Sequence, residues 1–163
     1  MSKLAVVALL PVLALGGCVS MSRSSPVTSL SADWAREGRV DQVVVTRGPD
    51  LKLTPEFDEI FKSHVKAKLD ACAKGSRPLR LEAKIDRLDK ANPVMTTVVA
   101  GANVLRGEAR LVDVATGQVV ADYKVGKTIV GGRFAIIVMG QAEEQLSDAF
   151  GDEMCKQAFP AAG

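Results

Sequence analysis

The chemistry open to this 163-residue chain rests on three cysteines, one histidine and a few serine, lysine and glycine placements. A structural metal site usually needs four ligands. Cys72, Cys155 and the lone His64 supply three, so no metal is assigned. Ser63-His64-Val65-Lys66 has the Ser-x-x-Lys spacing of a serine acyl-transfer site, but the chain lacks the Ser-Asp-Asn and Lys-Thr-Gly elements that complete such a site. Gly131-Gly132-Arg133 lacks both the Lys-Ser/Thr of a phosphate-binding loop and the GxGxxG spacing, and reads as a turn. His64 follows Ile60 by four residues and precedes Val65, beside an apolar helical stripe, so it reads as a half-buried structural histidine. Glu82, Asp86 and Asp89 fall on the charged face of a strand. No catalytic residue and no cofactor is assigned, and the chain is expected not to be an enzyme.

The remaining thiol, Cys18, takes its meaning from what precedes it. Met1 to Lys3 form a short basic start, and Leu4 to Leu15 are an apolar run that contains Pro11. About 20 apolar residues are needed to cross a bilayer as a helix, so this run reads instead as a secretory signal. Its end, Leu15-Gly16-Gly17-Cys18, resembles the lipobox of bacterial lipoproteins. The resemblance implies cleavage between Gly17 and Cys18 and an acylated glycerol, typically carrying palmitate, on the Cys18 thiol. Each buried acyl CH₂ contributes about 0.8 kcal/mol, and two or more chains hold a protein stably at a membrane surface. Val19, rather than the Asp that retains lipoproteins in the inner membrane of enteric bacteria, follows the cysteine. The expected location is therefore the outer membrane, facing the periplasm.

Loss of residues 1–17 leaves 146 residues, enough for one ordinary domain with one core. The formal charge of +2 falls to about +1 without Lys3, which gives no electrostatic footprint for nucleic acid. One Trp and one Tyr provide no stacking platform for bases or sugars. In an oxidising compartment the even pair Cys72 and Cys155 reads as a disulfide, since each lies near the carboxyl end of a predicted helix; two separate buried thiols are the alternative.

The hydroxyl-rich stretch from Cys18 to about Leu30 has no apolar periodicity and reads as a flexible tether. Ser31 to Glu37 predicts a helical turn anchored by Trp34 and ended by Gly38. Val40 to Thr46 predicts a strand. Thr54 is expected to cap a helix in which Phe57, Ile60, Phe61, Val65, Leu69 and Cys72 share one face. Leu79 to Leu88 alternate as a half-buried strand. Leu105 to Asp113 and Val119 to Val125 predict a hairpin around Ala115-Thr116-Gly117-Gln118. In the last helix Ala142, Leu146, Ala149, Phe150 and Met154 lie on one side.

This order of elements, with Leu111-Val112-Asp113-Val114-Ala115-Thr116-Gly117-Gln118-Val119-Val120 at its hairpin, resembles a group of uncharacterised bacterial lipoproteins. Those are distantly similar in fold to the curli-secretion lipoprotein and to the amino-terminal domain of TolB. The resemblance covers about residues 40–158 and implies a mixed sheet packed by two helices. With the elements above, the expectation is a single α+β domain over residues 31–163, with a mixed, mainly antiparallel sheet of about five strands packed by two main helices. The resemblance also implies a role in envelope assembly.

The expected function is a non-enzymatic interaction or assembly component of the cell envelope, with a protein partner and self-association both open. Phe134, Ile136, Ile137, Val138 and Met139 lie in an almost uncharged run and are candidate partner contacts if exposed, or core residues if packed under the sheet. A sheet edge near Val43, or the second hairpin strand, is a further place for a partner strand. The alternative function is a carrier of a small apolar ligand held near Phe57, Phe61 and Phe134.

Overall fold

The structure is a computed structural model and describes residues 19–92, 101–131 and 141–160. Gly17, Cys18, Phe134 and residues 136–139, singled out above, therefore lie outside the described residues. Described strands are β1 (Val19–Ser22), β2 (Ser25–Thr28), β3 (Gly38–Arg47), β4 (Arg77–Asp89), β5 (Gly101–Asp113) and β6 (Val119–Gly131). The helices are α1 (Ala32–Glu37), α2 (Phe57–Cys72) and α3 (Ala142–Ala158).

The strands form one mixed sheet in the order β1-β6-β5-β4-β3, with β2 following β1 along the same side of β6. Only β3 and β4 run parallel, because helix α2 returns the chain between them; the other pairings are antiparallel. The α+β class and mainly antiparallel sheet agree with the expectation.

Period-2 alternation decides which face of the sheet is covered. Leu79, Leu81, Ala83 and Ile85 of β4, Leu105, Ala109 and Leu111 of β5, and Ala121, Tyr123 and Val125 of β6 point to one side and are buried. Phe57, Phe61, Val65 and Leu69 of α2, with Leu146, Phe150 and Met154 of α3, close that side. Phe61 meets Phe150 edge-on at 5.0 Å between ring centroids, and Phe57 at 5.7 Å. Phe57 and Phe61 are completely buried in this contact, so they fill the core rather than line a ligand cavity.

Two local readings are corrected. Thr54 does not cap α2; its hydroxyl and its N–H both donate to Glu143 at the start of α3, and Glu56 is the capping residue without a side-chain bond. A buried carboxylate competes for Thr54 more strongly than the helix end does. The segment read as a tether is not loose either: β1 and β2 pair with β6 from Val19↔Val130 to Thr28↔Asp122. This segment adds to the expected five strands and covers the second hairpin strand, which is therefore no free edge.

The β5–β6 turn is held by Asp113, whose carboxylate accepts from the Ala115 N–H at 3.1 Å and from the Thr116 hydroxyl at 2.7 Å. Gly117 sits at φ 71°, where a Cβ costs about 1–2 kcal/mol. Gly117→Ala is expected to lower unfolding stability by about that amount in urea titration; no loss would mean that the turn relaxes to a negative φ.

Candidate functional site

The segment that follows Cys18 in the sequence runs along β6, which determines its path. Val19 lies opposite Val130 and Ser22 opposite Lys127. The chain then crosses Gly126, where the Arg23 N–H donates to the Gly126 carbonyl at 2.8 Å and the Gly126 N–H donates to Ser24 Oγ at 3.2 Å. Strand β2 continues along Lys124 to Asp122, and the Leu30 N–H donates to the Tyr123 hydroxyl at 3.0 Å. Burial raises the Tyr123 phenol pKa above its ordinary value despite that bond, so the hydroxyl remains neutral. Val19, Met21 and Val27 are exposed along this strip, at 59%, 51% and 60%.

Beneath β1 lies a buried ion pair. Lys127 Nζ donates to Glu153 Oε2 at 3.2 Å, and both residues are buried. Burial raises the Glu153 pKa, but hydrogen bonds from Ser22, Gln157 and Lys127 outweigh it and hold the carboxyl below its ordinary value. Glu153 thereby joins β1 to α3 through side chains. Glu143 is the corresponding group at the start of α3. Burial pushes its pKa up, while Lys90 and Thr54 together bring it below the ordinary value.

Neither pair was identified from sequence, although a signal existed. Lys127 continues the inward parity of Ala121, Tyr123 and Val125, and Glu153 immediately precedes the buried Met154. A charged residue on a buried face calls for a partner on the facing element.

Cys72 and Cys155 are joined in a disulfide, with Cα atoms 5.8 Å apart, at the adjoining ends of α2 and α3. His64 is half-buried and its Nδ1 lies 3.0 Å from Asp148 Oδ1, a second link between these helices. Of the strand carboxylates, Glu82 pairs with Arg80, Asp86 with Lys84 and Asp89 with Arg87. These are local pairs on a solvated face, so the structure does not gather them with His64 into one centre.

The sequence matches no protein-family profile, and no curated protein matches it closely enough to count as a relative. Among solved structures, one shares its fold and others resemble it more loosely. A PelC dodecamer from Paraburkholderia phytofirmans superposes with a TM-score of 0.54 at 16% identity, covering 86% of this chain and 99% of that one. A candidate lipoprotein from Caulobacter crescentus CB15 gives a TM-score of 0.43 at 10% identity over 70% of this chain and 85% of that one. A DUF330-family protein from Xanthomonas campestris gives 0.45 at 11% identity over 80% and 91%. At such identities the likeness concerns the fold alone. No helix among the described residues is long and apolar enough to cross a membrane.

Proposed function

We propose that this chain is a lipid-anchored, non-enzymatic assembly component of the bacterial envelope, held through acylated Cys18 at the outer membrane and facing the periplasm. The observation that carries this reading is the docking of β1. Its first residue, Val19, follows Cys18 directly and already pairs with Val130. A lipid on Cys18 would thus have almost no slack and would hold one end of the sheet, where Gly101 lies opposite Gly131, against the bilayer. At that same end β5 begins and β6 finishes, and the sequences 93–100 and 132–140 are poor in charge.

The form of assembly we favour is a ring of identical copies. PelC, which shares the fold, is a dodecamer. Among the described residues, β3 is open at one margin of the sheet and the β1–β2 strip at the other. Contacts between two different margins are heterologous, and they close into rings when the rotation permits. Val44, exposed on β3, lies beside the edge expected near Val43.

The test is the intact mass of protein extracted from the native envelope, taken with and without reductant, together with light scattering in mild detergent. The expected result is a chain starting at Cys18 plus acyl glycerol, a gain of two hydrogen atoms on reduction, and a multimer. An unacylated chain would remove the anchor, and an acylated monomer would remove the ring.

A further inference from the structure

Among the described residues no helix covers the second face of the sheet, and that face holds a feature that neither anchor nor assembly requires. A groove of ≈550 Å³ runs over β4, β5, β6 and the crossing at Arg23, and a second of ≈270 Å³ continues from it; Arg23, Arg87, Arg106 and Gly126 line both. Lys124 completes the basic lining of the larger groove, and Asp86 and Glu108 are its acidic groups.

The charge in this groove is unbalanced. Asp86 is taken by Lys84 at 3.1 Å, and Arg87 donates to Asp89 at 2.6 Å. Among the described residues every arginine forms an ion pair except Arg23 and Arg106, and both of these exceptions face the groove. Among the described residues neither Lys124 nor Glu108 forms an ion pair within 4 Å, although the β5–β6 register puts them directly opposite each other, so that Glu108 offsets Lys124. Three free cations against one free carboxylate leave two positive charges uncompensated.

The backbone also brings these groups together at a cost. A bulge in β4 between Ile85 and Arg87 puts Arg87 directly opposite Arg106. Like charges directly opposite each other on adjacent strands are destabilising. On its other side Arg106 faces Gly126, which has no side chain to neutralise it. A Cβ at position 126 would come within 3.1 Å of the Arg23 carbonyl oxygen, so glycine there lets the N-terminal segment cross closely and bring Arg23 to the same groove.

We propose that this groove binds a phosphate-bearing anion, with Arg23 and Arg106 as its guanidinium ligands. Guanidinium presents a planar donor fork that matches phosphate oxygens. A phosphate monoester carries about −1.5 to −2 charges at pH 7, which matches the excess. The phosphate belongs either to a soluble molecule or to a lipid headgroup.

Thermal unfolding of the purified chain, with inorganic phosphate replacing chloride at constant ionic strength, provides the test. At about a hundredfold over its Kd, phosphate is expected to raise the Tm by about 5–10 °C. Arg106→Gln should remove that rise and, by relieving Arg87, raise the Tm in chloride by about 1–3 °C. Arg23→Gln should also remove the phosphate response. Lys156→Gln, a basic residue away from the groove, should retain it. Sedimentation with vesicles containing phosphatidic acid, whose headgroup is a phosphate monoester, against phosphatidylcholine vesicles, separates the sources. Binding to phosphatidic acid that Arg106→Gln abolishes would assign the headgroup, and a response to inorganic phosphate alone would assign a soluble ligand. Responses unchanged in both arginine variants, or no response of the wild type to either probe, would overturn the proposal.

Discussion

Replacing Cys72 and Cys155 together by alanine is expected to reduce unfolding stability by about 4.5 kcal/mol, or somewhat less where the unfolded chain retains structure. The bridge spans 83 residues of sequence, so its loss releases a long loop in the unfolded chain, containing β4, β5 and β6. In the native state the same bond joins α2 to α3 near their carboxyl ends, about three helical turns along α2 from the Phe61–Phe150 contact. The loss should therefore appear mainly as a lower midpoint in urea for the double variant and for reduced wild type alike. Oxidised wild type and the double variant unfolding at the same midpoint would show that helix packing alone fixes this end of the core. A drop in reduced wild type without one in the double variant would instead trace the effect to the free thiols.

Glu153→Gln is the second large effect, expected at about 3–5 kcal/mol, because it leaves Lys127 charged, buried and without its carboxylate. The pair need not be a net source of stability. Lys127→Met combined with Glu153→Leu should recover most of the loss, since replacing both partners removes the desolvation penalty as well as the attraction. Urea unfolding of the two variants decides this, and a double variant as unstable as Glu153→Gln would show that the pair is indispensable. The pH dependence follows from the depressed pKa of Glu153. The stabilisation is fully present above the unfolded glutamate value of about 4.3. It is lost as pH falls through the lower folded value, because the native state resists the proton that the unfolded state accepts. Glu153→Gln should flatten that part of the acid limb, and Glu143, shifted the same way, should account for part of what remains. Since Ser22 is among the groups that hold Glu153, acid should also loosen β1, the strand nearest Cys18.

Much of the fold was legible in the chain because its signals are local. The alternation of Leu79, Leu81, Ala83 and Ile85, the helical spacing of Phe57, Phe61, Val65 and Leu69, and the turn residues from Asp113 to Gln118 each place an element without reference to distant parts. Strand and helix periods differ, so such segments have one conformation that buries their apolar face. The Cys72–Cys155 pairing was legible for a related reason, since each cysteine stands near the carboxyl end of such a helix.

Tertiary structure alone decided the rest. Residues 19–28 carry no apolar pattern and read as a tether, yet they become β1 and β2 because the edge of β6 offers unpaired main-chain groups, and pairing with them depends little on side-chain type. Thr54 turned from a helix cap into a ligand of Glu143 because α3 comes near the start of α2. Arg23, Arg87, Arg106 and Lys124 are scattered over about a hundred positions of sequence, and each alone looks like an ordinary exposed cation. Their meeting in one groove required a bulge in β4, the β5–β6 register and the close crossing at Gly126. Periodicity specifies which face of an element is buried; which side chains share a site depends on register and on long-range pairing, and those exist only in the assembled sheet.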